Sequence, residues 1–389
     1  MSLAFAIFDE KPRLRALLEH FSIIKDPRDV RRVAHPLGEV LLLAVCGTMA
    51  DCDDYDCIAA WGKAHLHELR RYLPFENGTP GGRWLTILMN RISPELFSAA
   101  FSGWVRATWP HLPDHVAIDG KTSRRSHDRA DGKAPLHLVS AFATTSGLVL
   151  GQQAVEDKSN EIVAIPELIA HLGANGGLKG ALVTIDAMAT NATIAAAIVD
   201  VGADYLLAVK ANQPTLRAEI EAFFKDFPPG PDDIDVDYDK GHGRIERRAV
   251  RVTREVDWLK GERSFPGELR LPGVATIIEV NSRVELKDKC RFETRYYISS
   301  ARLTAQRAAR AVRAHWGIEN KLHWVLDVVF REDQSRLRKG HGAKNMAVVR
   351  HFAINIVRAA KDKNSIKLRR KIAGWDPKYL FSLIDNAGR

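Results

Sequence analysis

The chain has 389 residues, 46% of them hydrophobic and 27% charged, values typical of a folded globular protein of two or three domains. No apolar run approaches the ~18 residues that span a bilayer, and the N-terminal segment lacks the order of a secretory signal. We therefore expect a cytoplasmic protein with no membrane partner. The formal net charge of +9 favours a phosphate-rich partner.

Residues 1–109 are predicted to form a helical domain. The apolar stretch 37–50 is rich in helix formers. The stretch 53–73 begins with acidic residues and ends with basic residues, which is the order that the helix dipole favours.

From residue 110 the pattern changes to short apolar runs separated by turns, which predicts strands alternating with helices. Ser146 and Gly147 separate two strands and predict a hairpin. The predicted elements are strands at 116–119, 136–145 and 147–155, a helix at 160–172, a strand at 182–186, a helix at 193–201 and a strand at 204–210. The predicted order is thus β-β-β-α-β-α-β.

Residues 212–300 interrupt this pattern with a loop rich in Pro, Gly and Asp, followed by alternating segments. We expect a β-rich insertion subdomain there. After Ser300 the helical period returns, and it predicts one long helix from Leu303 to about Phe330 and another from Lys344 to Ala360. A basic tail, 361–389, is expected to close the chain.

Two predicted strands each end in an aspartate, Asp119 and Asp186. A carboxylate at the end of a buried strand must pair, become protonated or bind a metal. A simpler alternative is that Asp119 begins an Asp-Gly turn and Asp186 caps the next helix.

The long predicted helix carries a third carboxylate, Glu319, among apolar residues at helical spacing. The apolar residues of this stripe are Val312, Trp316, Leu322, Leu326 and Val329. Glu319 lies two turns from both Val312 and Leu326, which predicts a position on the same buried stripe. One explanation is a metal shared with Asp119 and Asp186, with the three carboxylates at metal-sharing distance. The alternative is a buried ion pair of Glu319 with His315 or Arg313.

The sequence resembles a known family over essentially its whole length. The motifs VAIDGKTSRRS, VTIDAMATN, VKANQ, HGRIERR and RAHWGIENKLHWVLDVVFREDQSR are similar to those of DDE insertion-sequence transposases of the H-repeat-associated, ISAs-type group. The resemblance implies an α/β fold with an RNase-H-like catalytic core at 110–211 and 301–360, preceded by the helical transposase-associated domain. It also implies that Asp119, Asp186 and Glu319 are the catalytic and metal-binding triad, with Mg²⁺ as cofactor, Mn²⁺ as a substitute and two ions in number.

The residue types suit this chemistry. Two divalent ions held ~4 Å apart by three carboxylates can activate a water or a 3′-hydroxyl and stabilise the leaving oxygen. The predicted function is cleavage of DNA at element ends followed by strand transfer. The expected partner is double-stranded DNA, namely terminal inverted repeats and target DNA, bound by a homodimer. The alternatives are a structure-specific nuclease without strand transfer and a domesticated, non-catalytic DNA-binding protein.

Basic residues that flank the predicted catalytic elements are expected to bind phosphates, although solvated surface faces are an alternative. These candidates are Lys121, Arg124, Arg125, Lys210, Arg244, Arg247, Arg248, Arg313, Lys321, Arg331, Arg336 and Lys339. The broader family carries Tyr, Arg and Lys at fixed offsets from the glutamate. Here those positions hold Val312, His315 and Leu326, so His315, Lys321 or Arg331 would supply the missing phosphate contact. The accessory candidates are His315, Trp316, Asn320 and Trp324. The two tryptophans would either pack beneath the site or touch substrate, and packing is favoured for Trp316.

Overall fold

The computed structural model describes residues 12–128, 131–155, 161–186, 190–241, 244–260 and 270–386. Within those ranges, every helix is too short or too polar to span a bilayer. Capping side chains start several N-terminal helices: Asp54 accepts from the Cys57 amide, and Ser93 accepts from the Leu96 amide. The helices of this part are α1 (Pro12–Phe21), α2 (Leu37–Met49), α3 (Tyr55–Ala64), α4 (Leu66–Leu69), α5 (Gly82–Met89) and α6 (Pro94–Thr108).

The next part of the chain confirms the predicted β-β-β-α-β-α-β order. Its elements are β1 (His115–Thr122), β2 (His137–Ala143), β3 (Leu148–Val155), α7 (Glu161–Gly173), β4 (Leu182–Ile185), α8 (Ala192–Asp200) and β5 (Asp204–Val209). The predicted hairpin between β2 and β3 is present, and Gly147 in its turn has a φ of 75°, which favours glycine. β1 is antiparallel to β2 and parallel to β4, and β4 is parallel to β5.

The insertion is β-rich and continuous with the core sheet. It contains α9 (Pro214–Asp226), β6 (Ile234–Gly241), β7 (Arg244–Thr253), β8 (Thr276–Leu286) and β9 (Lys289–Ser299). β9 pairs antiparallel with β5, which joins both parts into one nine-stranded sheet of order β3-β2-β1-β4-β5-β9-β8-β7-β6. The long strands of the insertion therefore form one wall beside the ends of the core strands.

The structure is helical over most of the range predicted from Leu303 to Phe330, but it is not one regular α-helix. The structure has α10 (Ala305–His315), a π-helical segment (Glu319–His323) and α11 (Trp324–Val328). The π-helix hydrogen-bonds five residues back instead of four, so Glu319 and Leu326, seven residues apart across this segment, no longer share a face. Leu322 is buried, whereas Glu319 and Trp316 are exposed, Trp316 by 42%. The prediction of Glu319 on a buried stripe is therefore wrong.

The described residues of the predicted basic tail are largely helical. The chain continues through α12 (Gly342–Arg358), which confirms the helix predicted there, and then through α13 (Ile366–Trp375) and α14 (Pro377–Asn386). Phe352 of α12 contacts Phe21 and Phe97 of the N-terminal helices, with ring centroids 5.4 and 5.9 Å apart. The N-terminal helices and α12 thus share one hydrophobic core, which also includes Leu322 of the π-helical segment.

A buried network of charges joins β1 to the C-terminal helices. Lys121 Nζ lies 2.6 Å from Asp327 Oδ1 and 2.8 Å from Glu332 Oε2. Arg350 Nη1 of α12 lies 3.4 Å from the other carboxylate oxygen of Glu332. Opposite charges that are removed from water in this way stabilise one another, so removing one partner strongly lowers the stability of the fold.

Protonation of Glu332 is expected to make the protein less stable in acid. Burial by itself would raise the pKa of Glu332, but the charges of Lys121 and Arg350 outweigh burial and lower it to about 2. Because the folded pKa lies below the unfolded value, the carboxylate stabilises the fold above pH ~4.5, and this stabilisation is lost as the pH falls towards 2. The loss is on the order of 3 kcal/mol.

Urea unfolding of the wild type and of Glu332→Gln, each measured at pH 7 and pH 3, tests this expectation. The variant should be less stable at pH 7 and should lose less stability on acidification. Equal acid losses in the two proteins would show that Glu332 does not carry the effect.

Candidate active site

A cavity of 630 Å³ lies where the core strands end, and all three predicted carboxylates line it. Asp119 belongs to β1, Asp186 directly follows β4, and Glu319 is the first residue of the π-helical segment. β1 and β4 are parallel and pair Ile118 with Ile185, so each aspartate is the next residue after this pair. Parallel pairing therefore brings the two aspartates to the same edge of the sheet.

Asp119 has a partly buried carboxyl group with a strongly raised pKa. Burial raises the pKa of Asp119 to about 7, and the negative charges of Glu319, Glu161 and Asp186 contribute to this increase. The Gly120 amide donates a hydrogen bond to Asp119 Oδ1 at 2.9 Å and partly offsets the increase. The carboxyl groups are thus close enough to repel one another, and together they concentrate negative charge in the pocket.

The simpler explanations of the two aspartates are wrong. Asp119 lies inside the strand β1 and does not begin a turn. The side chain that caps α8 is Asn191, which accepts from the Ile194 amide, and not Asp186. Asp186 is exposed and forms an ion pair with Lys210, with Oδ1 and Nζ 2.6 Å apart.

The ion pair considered for Glu319 is also absent from the described part of the chain. Arg313 Nη1 instead lies 2.8 Å from Asp237 Oδ2 on β6. His315 Nδ1 lies 3.0 Å from Thr184 Oγ1 on β4. Glu319 is exposed to the pocket without a salt bridge among the described residues.

The three carboxylates share a pocket but not the predicted metal-sharing distance. Among residues that the structure describes, no three His, Cys, Asp or Glu side chains are grouped closely enough to hold a metal ion. Metal binding by these three carboxylates therefore stays a prediction.

Sequence analysis missed three residues beside Asp119: Glu161, His137 and His323. His137 Nε2 lies 2.6 Å from Glu161 Oε1, and this pair packs against the backbone of Gly120, where a Cβ atom would overlap both side chains. His323 Nδ1 lies 3.6 Å from Asp119 Oδ2. Glu161 begins α7, where an acidic residue is ordinary, so its sequence context contained no signal of this position.

The opposite wall of the pocket comes from β9 and combines aromatic with basic side chains. Phe292 is 74% exposed, and the Arg295 guanidinium lies 5.5 Å from the centre of the Trp316 ring. Trp316 therefore lines the pocket and does not pack beneath it as expected. The accessory candidate His315 also lines the pocket, whereas Asn320 and Trp324 lie outside it.

The predicted phosphate contacts fall into three groups. Lys210 lines the pocket. Lys121 is buried with its ammonium among three carboxylates, those of Asp327, Glu332 and Asp333, so the prediction that it binds DNA is wrong. Breaking these contacts would leave a buried ammonium without a counter-charge, at a large cost in free energy.

The remaining candidates are exposed or partly exposed. Five of them contact acidic side chains, namely Arg124, Arg248, Arg313, Arg331 and Lys339. Five others are exposed and form no salt bridge within the described part of the chain: Arg125, Arg244, Arg247, Lys321 and Arg336. The five side chains without a salt bridge keep their positive charge available for a partner.

Comparison with known proteins identifies the family. The model described as "Transposase DDE domain" matches residues 110–356, and the model described as "DDE_Tnp_1-associated" matches residues 18–105. The "H repeat-associated putative transposase YhhI" of Escherichia coli K12 is 38% identical over 96% of this chain and 99% of its own length. The "Putative transposase YncI" of Escherichia coli O157:H7 is 37% identical over 95% of each chain.

A solved structure, the piggyBac transposase synaptic complex with hairpin DNA, aligns over 97% of this chain and 77% of that chain. Its TM-score is 0.39 and its sequence identity 11%, values too low to support a conclusion. The family models and the sequence relatives do support one. This chain belongs to the family of DDE-domain transposases that includes the H repeat-associated proteins.

Proposed function

We propose that this protein is a metal-dependent DNA transposase that cuts DNA at the ends of a mobile element and transfers the strands to target DNA. In this proposal Asp119, Asp186 and Glu319 are the catalytic residues. The observation that carries the proposal is that these carboxylates, from three elements far apart in sequence, line one pocket. Family membership supports the same assignment.

An RNase-H-like core is part of the proposal. β1 lies between an antiparallel neighbour, β2, and a parallel neighbour, β4, in the order β3-β2-β1-β4-β5. α7 and α8 lie between strands in the chain, and α10 follows the insertion. This arrangement supports a core in which β1 and the end of β4 supply aspartates and a later helical segment supplies the glutamate.

The donor chemistry of the pocket fits a hard divalent cation such as Mg²⁺ or Mn²⁺. Carboxylate oxygens are the ligands that such cations prefer. Burial is the main reason that the pKa of Asp119 is raised, and the neighbouring negative charges add to the increase; a bound cation would stabilise the charged carboxylate against both. We assign the holding of two ions to Asp119, Asp186 and Glu319. When bound, the ions would supply an activated water or 3′-hydroxyl and stabilise the leaving oxygen.

Other residues of the pocket are suited to hold the DNA backbone. Lys210, Arg217 and Arg295 line the same cavity and add three positive groups to it. Phosphate contacts of this kind position a strand without reading its sequence. Lys210, now paired with Asp186, can contact a phosphate once a cation neutralises that carboxylate.

A plasmid-nicking assay with Mg²⁺, followed by a strand-transfer assay on oligonucleotides carrying the element ends, tests the proposal. Nicking and joining are expected for the wild type, with neither in EDTA nor with Asp119→Asn. The matched control is Asp257→Asn, an exposed aspartate outside the pocket. It should behave as the wild type does.

The same assays separate the alternatives. Nicking without joined products would indicate a nuclease without strand transfer. DNA binding without nicking would indicate a non-catalytic DNA-binding protein. One relative, 39% identical over 17% of this chain, is named "Inactive transposase YbfQ" of Escherichia coli K12. Assembly as a homodimer on the terminal repeats is the remaining part of the proposal, and sedimentation with and without DNA tests it.

A further inference from the structure

Helix α13 sorts its basic residues into a buried pair and an exposed pair. Arg370 is fully buried, donating from Nε to the Thr48 carbonyl at 3.0 Å and from Nη2 to Asp53 at 3.1 Å. Arg369 donates to the Val357 carbonyl at 2.9 Å and pairs with Asp362, also at 2.9 Å. These arginines attach α13 to the rest of the protein. Because they contact carboxylates and carbonyls within the protein, they are not available to bind a partner.

The lysines of α13 point the other way. Lys367 and Lys371 are exposed, and Trp375, 72% exposed, follows four residues later. Residues four apart lie on one face of a helix, so the three side chains form a single stripe. Lys361 and Lys363, just before the helix, are exposed as well. In the described part of the chain none of these lysines forms a salt bridge, and we call the five residues the α13 basic face.

This face is connected to the candidate active site. Arg358, the last residue of α12, donates a hydrogen bond to the Lys321 carbonyl in the π-helical segment that begins with Glu319. Lys321 and Trp324 are exposed there, and the chain reaches Lys361 shortly after Arg358. The hydrogen bond of Arg358 thus ties the chain just before Lys361 to the segment that begins with Glu319.

We propose that the α13 basic face binds the backbone of duplex DNA flanking the site of cleavage. This inference rests on the proposed function and adds a second DNA-binding surface outside the pocket. From Lys367 to Trp375 the helix rises about 12 Å, which corresponds to three or four base pairs at about 3.4 Å each. Lysine ammonium groups bind phosphates as point charges without reading bases, so the contact is independent of sequence.

The composition of the face favours DNA over other partners. An exposed tryptophan next to unpaired lysines suits a surface that is both charged and partly apolar, as the sugar-phosphate backbone is. The acidic residue of the same segment, Asp362, is occupied by Arg369 and by the Tyr379 hydroxyl, so it does not neutralise the lysines. Charge complementarity thus commits the face to a polyanion.

The test is a fluorescence-anisotropy titration of the full chain with a 30-base-pair duplex of arbitrary sequence at several KCl concentrations. In the double variant Lys367→Gln with Lys371→Gln, the slope of log Kd against log salt should decrease by about 2, and affinity near physiological salt should fall about tenfold. Trp375→Ala should weaken binding without changing the slope, because the ring carries no charge. The matched control, Lys63→Gln with Lys225→Gln, removes the same charge from exposed positions on α3 and α9 and should leave the slope unchanged.

The outcomes separate this inference from the proposed function. A wild type that binds no DNA would overturn both. A wild type that binds and cuts DNA, with a double variant of unchanged slope and affinity, would overturn the α13 basic face alone and indicate an acidic protein or a second copy of the chain as its partner. At saturating DNA the double variant should cut at the wild-type rate, because the face contributes binding and touches no reacting group.

Discussion

The Glu319→Gln variant is expected to lose DNA cleavage while it keeps its fold and its affinity for DNA. Glu319 is exposed to the pocket, has no salt bridge among the described residues, and would be replaced by a residue of similar volume and helix propensity. The free energy of unfolding should therefore change by less than about 0.5 kcal/mol. Cleavage should fall about 10³-fold or more, because in the proposed mechanism Glu319 is one of three carboxylates that hold the metal ions.

Nicking with Mg²⁺ and thermal unfolding, measured on the same preparation, test this prediction. Glu255→Gln makes the same change at an exposed position outside the pocket and should affect neither measurement. A Glu319→Gln protein that melts early but still cuts DNA would remove Glu319 from the active site and assign it a structural role.

Lys121→Met is expected to destabilise the fold by about 3–5 kcal/mol, the cost of leaving buried charges without their partner. The ammonium of Lys121 contacts Asp327 and Glu332, and both contacts are within 2.8 Å. With methionine there, Arg350 at 3.4 Å is the one remaining cation within salt-bridge distance of Glu332 among the described residues. Arg124→Gln, at a side chain that is 82% exposed, should change stability by less than about 0.5 kcal/mol.

The coupling between Lys121 and Glu332 is measured by chemical denaturation of three proteins: Lys121→Met, Glu332→Gln and the double variant that combines them. The double variant should lose clearly less stability than the two single losses added together, since each substitution removes the partner of the other. A Lys121→Met protein of unchanged stability but weaker DNA binding would instead restore Lys121 as a phosphate contact.

The same network has a consequence for the site. Lys121 is two residues beyond Asp119 on β1, and Asp327 belongs to α11, which directly follows the segment bearing Glu319. The salt bridges therefore connect the strand that carries one carboxylate to the helix that follows another. We expect Lys121→Met to impair cleavage in the folded fraction as well, because the positions of Asp119 and Glu319 depend on this connection.

The local sequence determined the order of the core elements. Alternating or continuous apolar runs bounded by turns mark strands whatever their partners, and the order β-β-β-α-β-α-β followed from them. Asp119 and Asp186 could be identified because each carboxylate stands at the end of an apolar run, where burial without a partner is costly. The motif around Glu319 was specific enough to indicate the family.

The tertiary structure alone decided where the charges go. A π-helical segment changes the face that Glu319 presents, and the helical period by itself contains no sign of it. In the sequence Lys121 resembles any basic residue that follows a candidate catalytic aspartate, and only the fold shows its partners from a distant part of the chain. Packing between remote segments brings Glu161 close to Asp119. Packing of the same kind favours the helices of the apparent tail. Sequence patterns record local periodicity, whereas ion pairs and electrostatic repulsion depend on contacts that only the folded chain creates.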